Sequence, residues 1–159
     1  GLDAVVCPAG SGGHTGPEKA TDVDQDAAIR LIKDCKEHGV GRFVMISALG
    51  ADPNSESARI QHYLRAKGVA DGYLRSSGLD YTILAPGTLL DEKGTGRIQA
   101  AEELGFHGFL PREDLAVCII ETLRNFYTLG KTIEIVSGAD KIKDAIVEVA
   151  GGGDLPPIL

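Results

Sequence analysis

The stretch Arg42-Phe43-Val44-Met45-Ile46-Ser47, with the later segment that carries Tyr63 and Lys67, decides how this chain is read. The run is apolar without alternation. Gly41 bounds it on one side and Ala48-Leu49-Gly50-Ala51-Asp52-Pro53 on the other. A short apolar run between turn signals reads as a strand buried on both faces. Ser47 then stands at its carboxyl end, the edge where open parallel sheets bind ligands. Tyr63 and Lys67 are four apart in an expected helix and share a face. A hydroxyl, a phenol and an ammonium in this order have the groups needed for proton chemistry on a carbonyl or alcohol.

Working outward, Asp3–Ala9 reads as a strand that runs into the turn Gly10-Ser11-Gly12-Gly13-His14-Thr15-Gly16. Taken alone, that turn is either a phosphate-cradling loop or a plain turn. Val23, Ala27, Ala28, Leu31, Ile32 and Cys35 fall at helical spacing between Asp22 and His38, with Gly39 as the stop. Ser55 or Ser57 is placed to cap the helix bearing Tyr63 and Lys67. Its inward residues are Ile60, Leu64, Ala66, Ala70 and Leu74, and it ends near Ser76-Ser77-Gly78. A strand over Asp80–Ala85 is stopped by Pro86-Gly87. Residues 88–109 read as a loop region with short strands near Arg97–Ala100 and Gly108–Leu110. Pro111-Arg112-Glu113-Asp114 opens a helix, with Leu115, Ile119, Leu123 and Phe126 as its buried stripe. A strand at Lys131–Val136 and a helix over Asp140–Ala150 follow, and residues 151–159 form a flexible tail.

Strands alternating with helices predict an α/β fold, a Rossmann-like parallel sheet with helices on both faces. At 159 residues the chain is one domain, assigned to 1–150. A net charge of −7 with scattered basic residues disfavours nucleic acid. No run reaches the length of a membrane span, and no signal peptide is visible. Cys7, Cys35 and Cys118 are widely spaced in apolar patterns, so they read as reduced thiols of a cytoplasmic protein. No metal site is expected: Asp22, Asp24 and Asp26 read as a solvated helix start, and the four histidines lack ligand spacing and read as facing solvent.

Ala9-Gly10-Ser11-Gly12-Gly13, Arg42–Ala48, Tyr63-Leu64-Arg65-Ala66-Lys67, Ser76–Gly87 and the helix start Pro111–Ala116 together resemble an atypical short-chain dehydrogenase/reductase. The similar group is the NAD(P)H-binding, NAD-dependent epimerase-like proteins. The resemblance implies an NAD(P)-dependent oxidoreductase or epimerase-like activity on a small-molecule substrate, with NAD or NADP left open. It implies Ser47, Tyr63 and Lys67 as the catalytic group. It implies that Ala9, Gly10, Ser11, Gly12, Lys67, Pro86, Gly87 and Thr88 face the cofactor. In that family a glycine turn of this kind follows the fourth strand, and the pyrophosphate fingerprint lies on the first. The resemblance therefore implies a truncated fold of four principal strands, with about sixty preceding residues absent, an estimate from Rossmann unit length. Ala85 stands where many relatives have Arg. Asp24 stands near a helical Asn that some relatives use in a proton relay.

Two functional readings follow. In one, Lys67 lowers the Tyr63 pKa by favouring the phenolate, and Ser47 donates to a substrate carbonyl or else bonds nearby backbone. In the other, the chain is a non-catalytic NAD(P)-binding or interaction module, or a fragment of a longer reductase. The exposed edge at Asp3–Ala9 is expected to pair with a second copy, giving a homo-oligomer, or with a missing N-terminal segment.

Overall fold

A computed structural model describes residues 1–152 of the chain. The tail expected over 151–159 therefore lies, after Gly152, outside the described residues. The four principal strands are β1 (Ala4–Cys7), β2 (Arg42–Ile46), β3 (Asp80–Pro86) and β7 (Lys131–Ser137). They are parallel and contiguous, as expected, with Val5 beside Phe43, Val44 beside Thr82 and Leu84 beside Ile133. Two antiparallel strands, β5 (Arg97–Ala101) and β8 (Asp140–Lys141), extend the sheet beyond them. The full order is β1-β2-β3-β7-β5-β8. The expected short strand near residue 109 is β6 (Phe109–Pro111). It pairs in parallel with β4 (Thr88–Leu90), a strand too short to leave a periodic signal.

Strand alternation sorts the core into two layers. Phe43 and Met45 face one cluster, with Ile32, Cys35, Ala70 and Leu74 from the helices on that side. Val44 and Ile46 face the other, with Leu115, Cys118, Ala145 and Ile146. The helix expected from Asp22 begins earlier. A single turn, α1 (Pro17–Lys19), leads through a π-helical stretch (Ala20–Ala27) into α2 (Ala28–Glu37). Gly39 ends α2 at φ +71°, a left-handed conformation that glycine adopts without Cβ strain. Three further helices are α3 (Gln61–Arg75), α4 (Arg112–Arg124) and α5 (Ile142–Ala150).

Three local expectations are corrected. Neither Ser55 nor Ser57 caps α3; its first turn follows Ile60, with no side-chain cap. Phe126 is 76% exposed, because α4 stops at Arg124 before the stripe reaches it. Cys118 and Thr122 are buried in the faces that α4 turns inward. His62 does not face open solvent, since it is half-buried with Nε2 2.6 Å from the Thr15 carbonyl oxygen.

At the amino end of the sheet Arg42 locks the layers. Its guanidinium donates to Thr82 Oγ1 at 2.8 Å and Thr128 Oγ1 at 3.1 Å. Burial lowers its pKa. The carboxyl end is thereby the free edge on which the candidate site is built.

Candidate functional site

Three strands deliver their carboxyl ends to one edge: Ala9 to Gly12 after β1, Ser47 after β2, and Pro86 to Thr88 at and after β3. Parallel register forces this gathering, and α3 crosses beneath with Tyr63, Lys67 and Asp71 at four-residue intervals on one face.

Lys67 is 3% exposed, and its ammonium is fully engaged. Nζ donates to the Ala9 carbonyl at 3.0 Å and the Ile46 carbonyl at 3.2 Å, and it pairs with Asp24 Oδ1 at 3.2 Å. An ammonium has three N–H groups, and here there are three acceptors. Lys67 thus bolts the ends of β1 and β2 together. A lone buried ammonium would cost roughly several kcal/mol, so its partner is structurally required.

That partner corrects one expectation. Asp24 is not part of a solvated helix start but is 1% exposed. It lies in the π-helical stretch, four residues from buried Ala20 and four from buried Ala28. Its carboxylate also accepts from Ser11 N at 3.2 Å and from the Ser11 hydroxyl. Gly10 packs closely against this pair: a Cβ there would lie 3.2 Å from Asp24 Oδ1 and 3.3 Å from Lys67 Nζ, so the pair would have to shift by a few tenths of an ångström. The Ser11 N–H of the first turn is already capped by the Asp24 carboxylate and is not free for a phosphate.

Tyr63 is half-buried, with Lys67 Nζ 5.8 Å from its ring centroid. The expected lowering of its pKa is not found. Burial first, then the negative charges of Asp24 and Asp71, push the phenol up to about 12. The ammonium that was to tune it is neutralised by Asp24 and aimed at backbone carbonyls.

Ser47 follows Phe43 and Met45 by strand alternation and so faces α3. Its hydroxyl donates to Asp71 Oδ2 at 2.5 Å, and it is 4% exposed. Asp71 is 2% exposed, and its Oδ1 has no hydrogen-bond partner. Burial raises its carboxyl to about 6, against the Ser47 hydrogen bond and the charges of Arg75 and Lys67, which lower it. Sequence reasoning missed Asp71. The available signal was an acid four residues beyond Lys67, set among Ala70 and Leu74 in the buried stripe of α3.

The Pro86-Gly87-Thr88 backbone is occupied within the fold. Gly87 N donates to the Ile135 carbonyl and Thr88 N to the Gly108 carbonyl, each at 2.9 Å. The Thr88 side chain is exposed at the edge. Ser47, Lys67 and the Ala9–Gly12 turn are thus brought together, Tyr63 sits over Lys67, and Pro86–Thr88 closes the edge beside them. A separate recess of about 270 Å³ lies between the residue 17–25 helix and the far flank of α3, lined by Gln25, Gln61, His62 and Arg65.

The sequence and the fold match known proteins. A family profile described as NAD(P)H-binding matches residues 1–126. A Bacillus subtilis protein named as an uncharacterized sugar epimerase, YhfK, is 39% identical over 147 residues, covering 92% of this chain and 68% of that one. A solved structure from Bacillus halodurans, described as an NAD-dependent epimerase/dehydratase, superposes with a TM-score of 0.87 at 38% identity. It covers 92% of this chain and 70% of that one. The anaerobillin reductase ChuY of Escherichia coli O157:H7 superposes at 0.72 with 26% identity, over 87% of this chain and 65% of that one. The chain thus spans about two thirds of the length of these relatives. The profile match over residues 1–126 and the 39% identical relative show that the chain belongs to the NAD(P)H-binding family.

Proposed function

We propose that the protein is an NAD(P)H-dependent oxidoreductase, or an epimerase-like relative of one, that reduces a small carbonyl substrate with Tyr63 as proton donor. The observation that carries this reading is the Tyr63 ring set over the Lys67 ammonium at 5.8 Å, on the face of α3 that meets the ends of β1 and β2. A phenol at about 12 is a poor base at neutral pH but a competent acid toward a nascent alkoxide, which is far more basic. When bound, NAD(P)H supplies hydride to the carbonyl carbon. The C=O π electrons pass to oxygen, the Tyr63 O–H bond breaks, and its proton goes to that oxygen. Solvent then returns a proton to the phenolate. Burial first, then Asp24 and Asp71, disfavour a standing phenolate, which keeps Tyr63 in its donor form.

The edge fits a flat cofactor. Ala9 and Gly10 are small and exposed after β1, and the Thr88 side chain is exposed after β3. Ala9, Gly10, Thr88 and Gly12 would flank the cofactor, and Ser47 would meet the substrate or the reactive end of the cofactor. Lys67 would position Ala9 rather than reach the ligand. The similarity to an anaerobillin reductase supports the reductive direction, and the similarity to an NAD-dependent epimerase/dehydratase supports the wider class.

The test uses NADPH with phenanthrenequinone as a permissive carbonyl. Tyr63→Phe is expected to lower kcat about 100-fold or more while leaving the NADPH Kd unchanged. Equal turnover by the variant would remove Tyr63 from the reaction. A non-catalytic NAD(P)H-binding module is the second reading, supported by the saturation of all three Lys67 donors. NADPH binding without turnover of any carbonyl would favour it. The unpaired outer edge of β1 among the described residues supports pairing with a second copy or with a further N-terminal segment. Sedimentation of a dilute, stable monomer would argue against that pairing.

A further inference from the structure

Ser47 and Asp71 form a buried pair that the proton donation by Tyr63 does not use. Ser47 lies at the end of β2 on the α3 side, and its hydroxyl hydrogen points to Asp71 Oδ2. A serine hydroxyl has one hydrogen to give. With that hydrogen committed, the oxygen has lone pairs only. The other carboxylate oxygen, Oδ1, is buried without a partner. A buried, half-satisfied carboxylate is costly for a helix whose neighbouring positions are Ala70 and Leu74.

We propose that Asp71 is a positioning residue that takes the Ser47 hydrogen, so that Ser47 meets a ligand as a hydrogen-bond acceptor, suited to an alcohol or amide N–H and not to a carbonyl oxygen. This rests on the reading of the strand edge as the ligand site, and it reverses the donor role expected for Ser47 from the sequence. The direction of the bond depends on the charge of Asp71. A protonated Asp71 donates to Ser47 Oγ and releases the serine hydrogen toward a carbonyl. The groups around Asp71 are Ser47 from β2, with Lys67 and Arg75 from its own helix and Tyr63 further along that helix. Lys67 is paired with Asp24, and the Lys33 ammonium of α2 lies over the Tyr73 ring at 5.7 Å. The carboxyl itself is placed by burial to change charge near pH 6.

The test has two arms. In protein labelled with [13C]carboxyl aspartate, Asp71 is assigned by its absence in Asp71→Asn and followed through a pH titration. In Ser47→Ala its midpoint is expected to rise by about half a pH unit or more, because the donated bond that stabilises the carboxylate is gone. Identical midpoints in the two proteins would overturn the proposal. In the second arm, the KM of phenanthrenequinone with saturating NADPH is measured across the acid-to-neutral range that spans the Asp71 midpoint. It is expected to rise about fivefold as Asp71 ionises, the worth of one hydrogen bond. That step is expected to vanish in Ser47→Ala and in Asp71→Asn. A step retained in Ser47→Ala would overturn the proposal. Failure of both NADPH and NADH to bind would refute the enzyme reading of the edge, and the carboxyl titration would still decide the Ser47–Asp71 pair.

Discussion

Replacing Asp71 by asparagine changes stability with opposite sign at the two ends of a modest pH range. In the folded protein burial raises this carboxyl from 3.8 to about 6. The folded state therefore binds more protons than the unfolded state between about pH 4 and pH 6. Stability falls as pH rises through that window, and above it the full penalty of a buried charge is present. A displacement of one pH unit in a midpoint corresponds to about 1.4 kcal/mol, so the penalty at about pH 8 is about 3 kcal/mol. An asparagine in this place would carry no charge and would still accept from Ser47. Its amide group would instead be buried without an acceptor, at a cost of about 1–2 kcal/mol. Asp71→Asn is then expected to be more stable than the parent by about 1–2 kcal/mol at about pH 8. At about pH 4, where Asp71 is already neutral, it is expected to be less stable by about 1–2 kcal/mol. Urea unfolding of both proteins at intervals between those two limits measures this directly, because the other carboxylates cancel in the difference. A difference that stays constant across the range would show that Asp71 titrates alike in both states, and the burial argument would fail.

Lys67→Met leaves Asp24 buried without its cation and frees the ends of β1 and β2 from each other. A loss of about 3–5 kcal/mol is expected by denaturant unfolding, partly recovered in Lys67→Met with Asp24→Asn. Gly68→Ala would place a Cβ 2.4 Å from backbone atoms of Asp52 and Pro53, where neither side can yield easily. It is expected to cost about 3 kcal/mol or more, whereas Ala at Gly72, where nothing lies within 4 Å, should stabilise α3 by about 1 kcal/mol. Arg42→Met removes the donor to Thr82 and Thr128 and is expected to lower stability by about 2 kcal/mol in the same measurement.

The strand over Arg42–Ile46, the helix carrying Tyr63 and Lys67, and the parallel order of the four principal strands were legible in the chain itself. Each rests on local regularities: an unbroken apolar run, a spacing of four, and glycine or proline at the stops. The resemblance to NAD(P)H-binding proteins rested on several stretches together, from the glycine turn to the helix start at Pro111, and the family match over residues 1–126 bears it out. The short β4 and β8 left no signal of their own, although β6, three residues long, was anticipated near residue 109. The end of the α4 stripe was equally hidden, because periodicity continues through Phe126 while the helix does not.

What the chain could not reveal was the charge state of its own site. In one dimension Asp24 looks like an ordinary acid of a polar helix start, between Asp22 and Asp26, and Asp71, between Ala70 and Gly72, shows only its spacing of four from Lys67. Folding carries one across to Lys67 and Ser11 and the other beneath Ser47, and it takes both out of water. A pKa depends on neighbours within a few ångströms and on lost hydration. Neither is a property of sequence spacing. The residue types at the edge follow from the sequence. Whether the phenol there is acid or base, and whether the serine gives or takes a hydrogen, follows from tertiary packing.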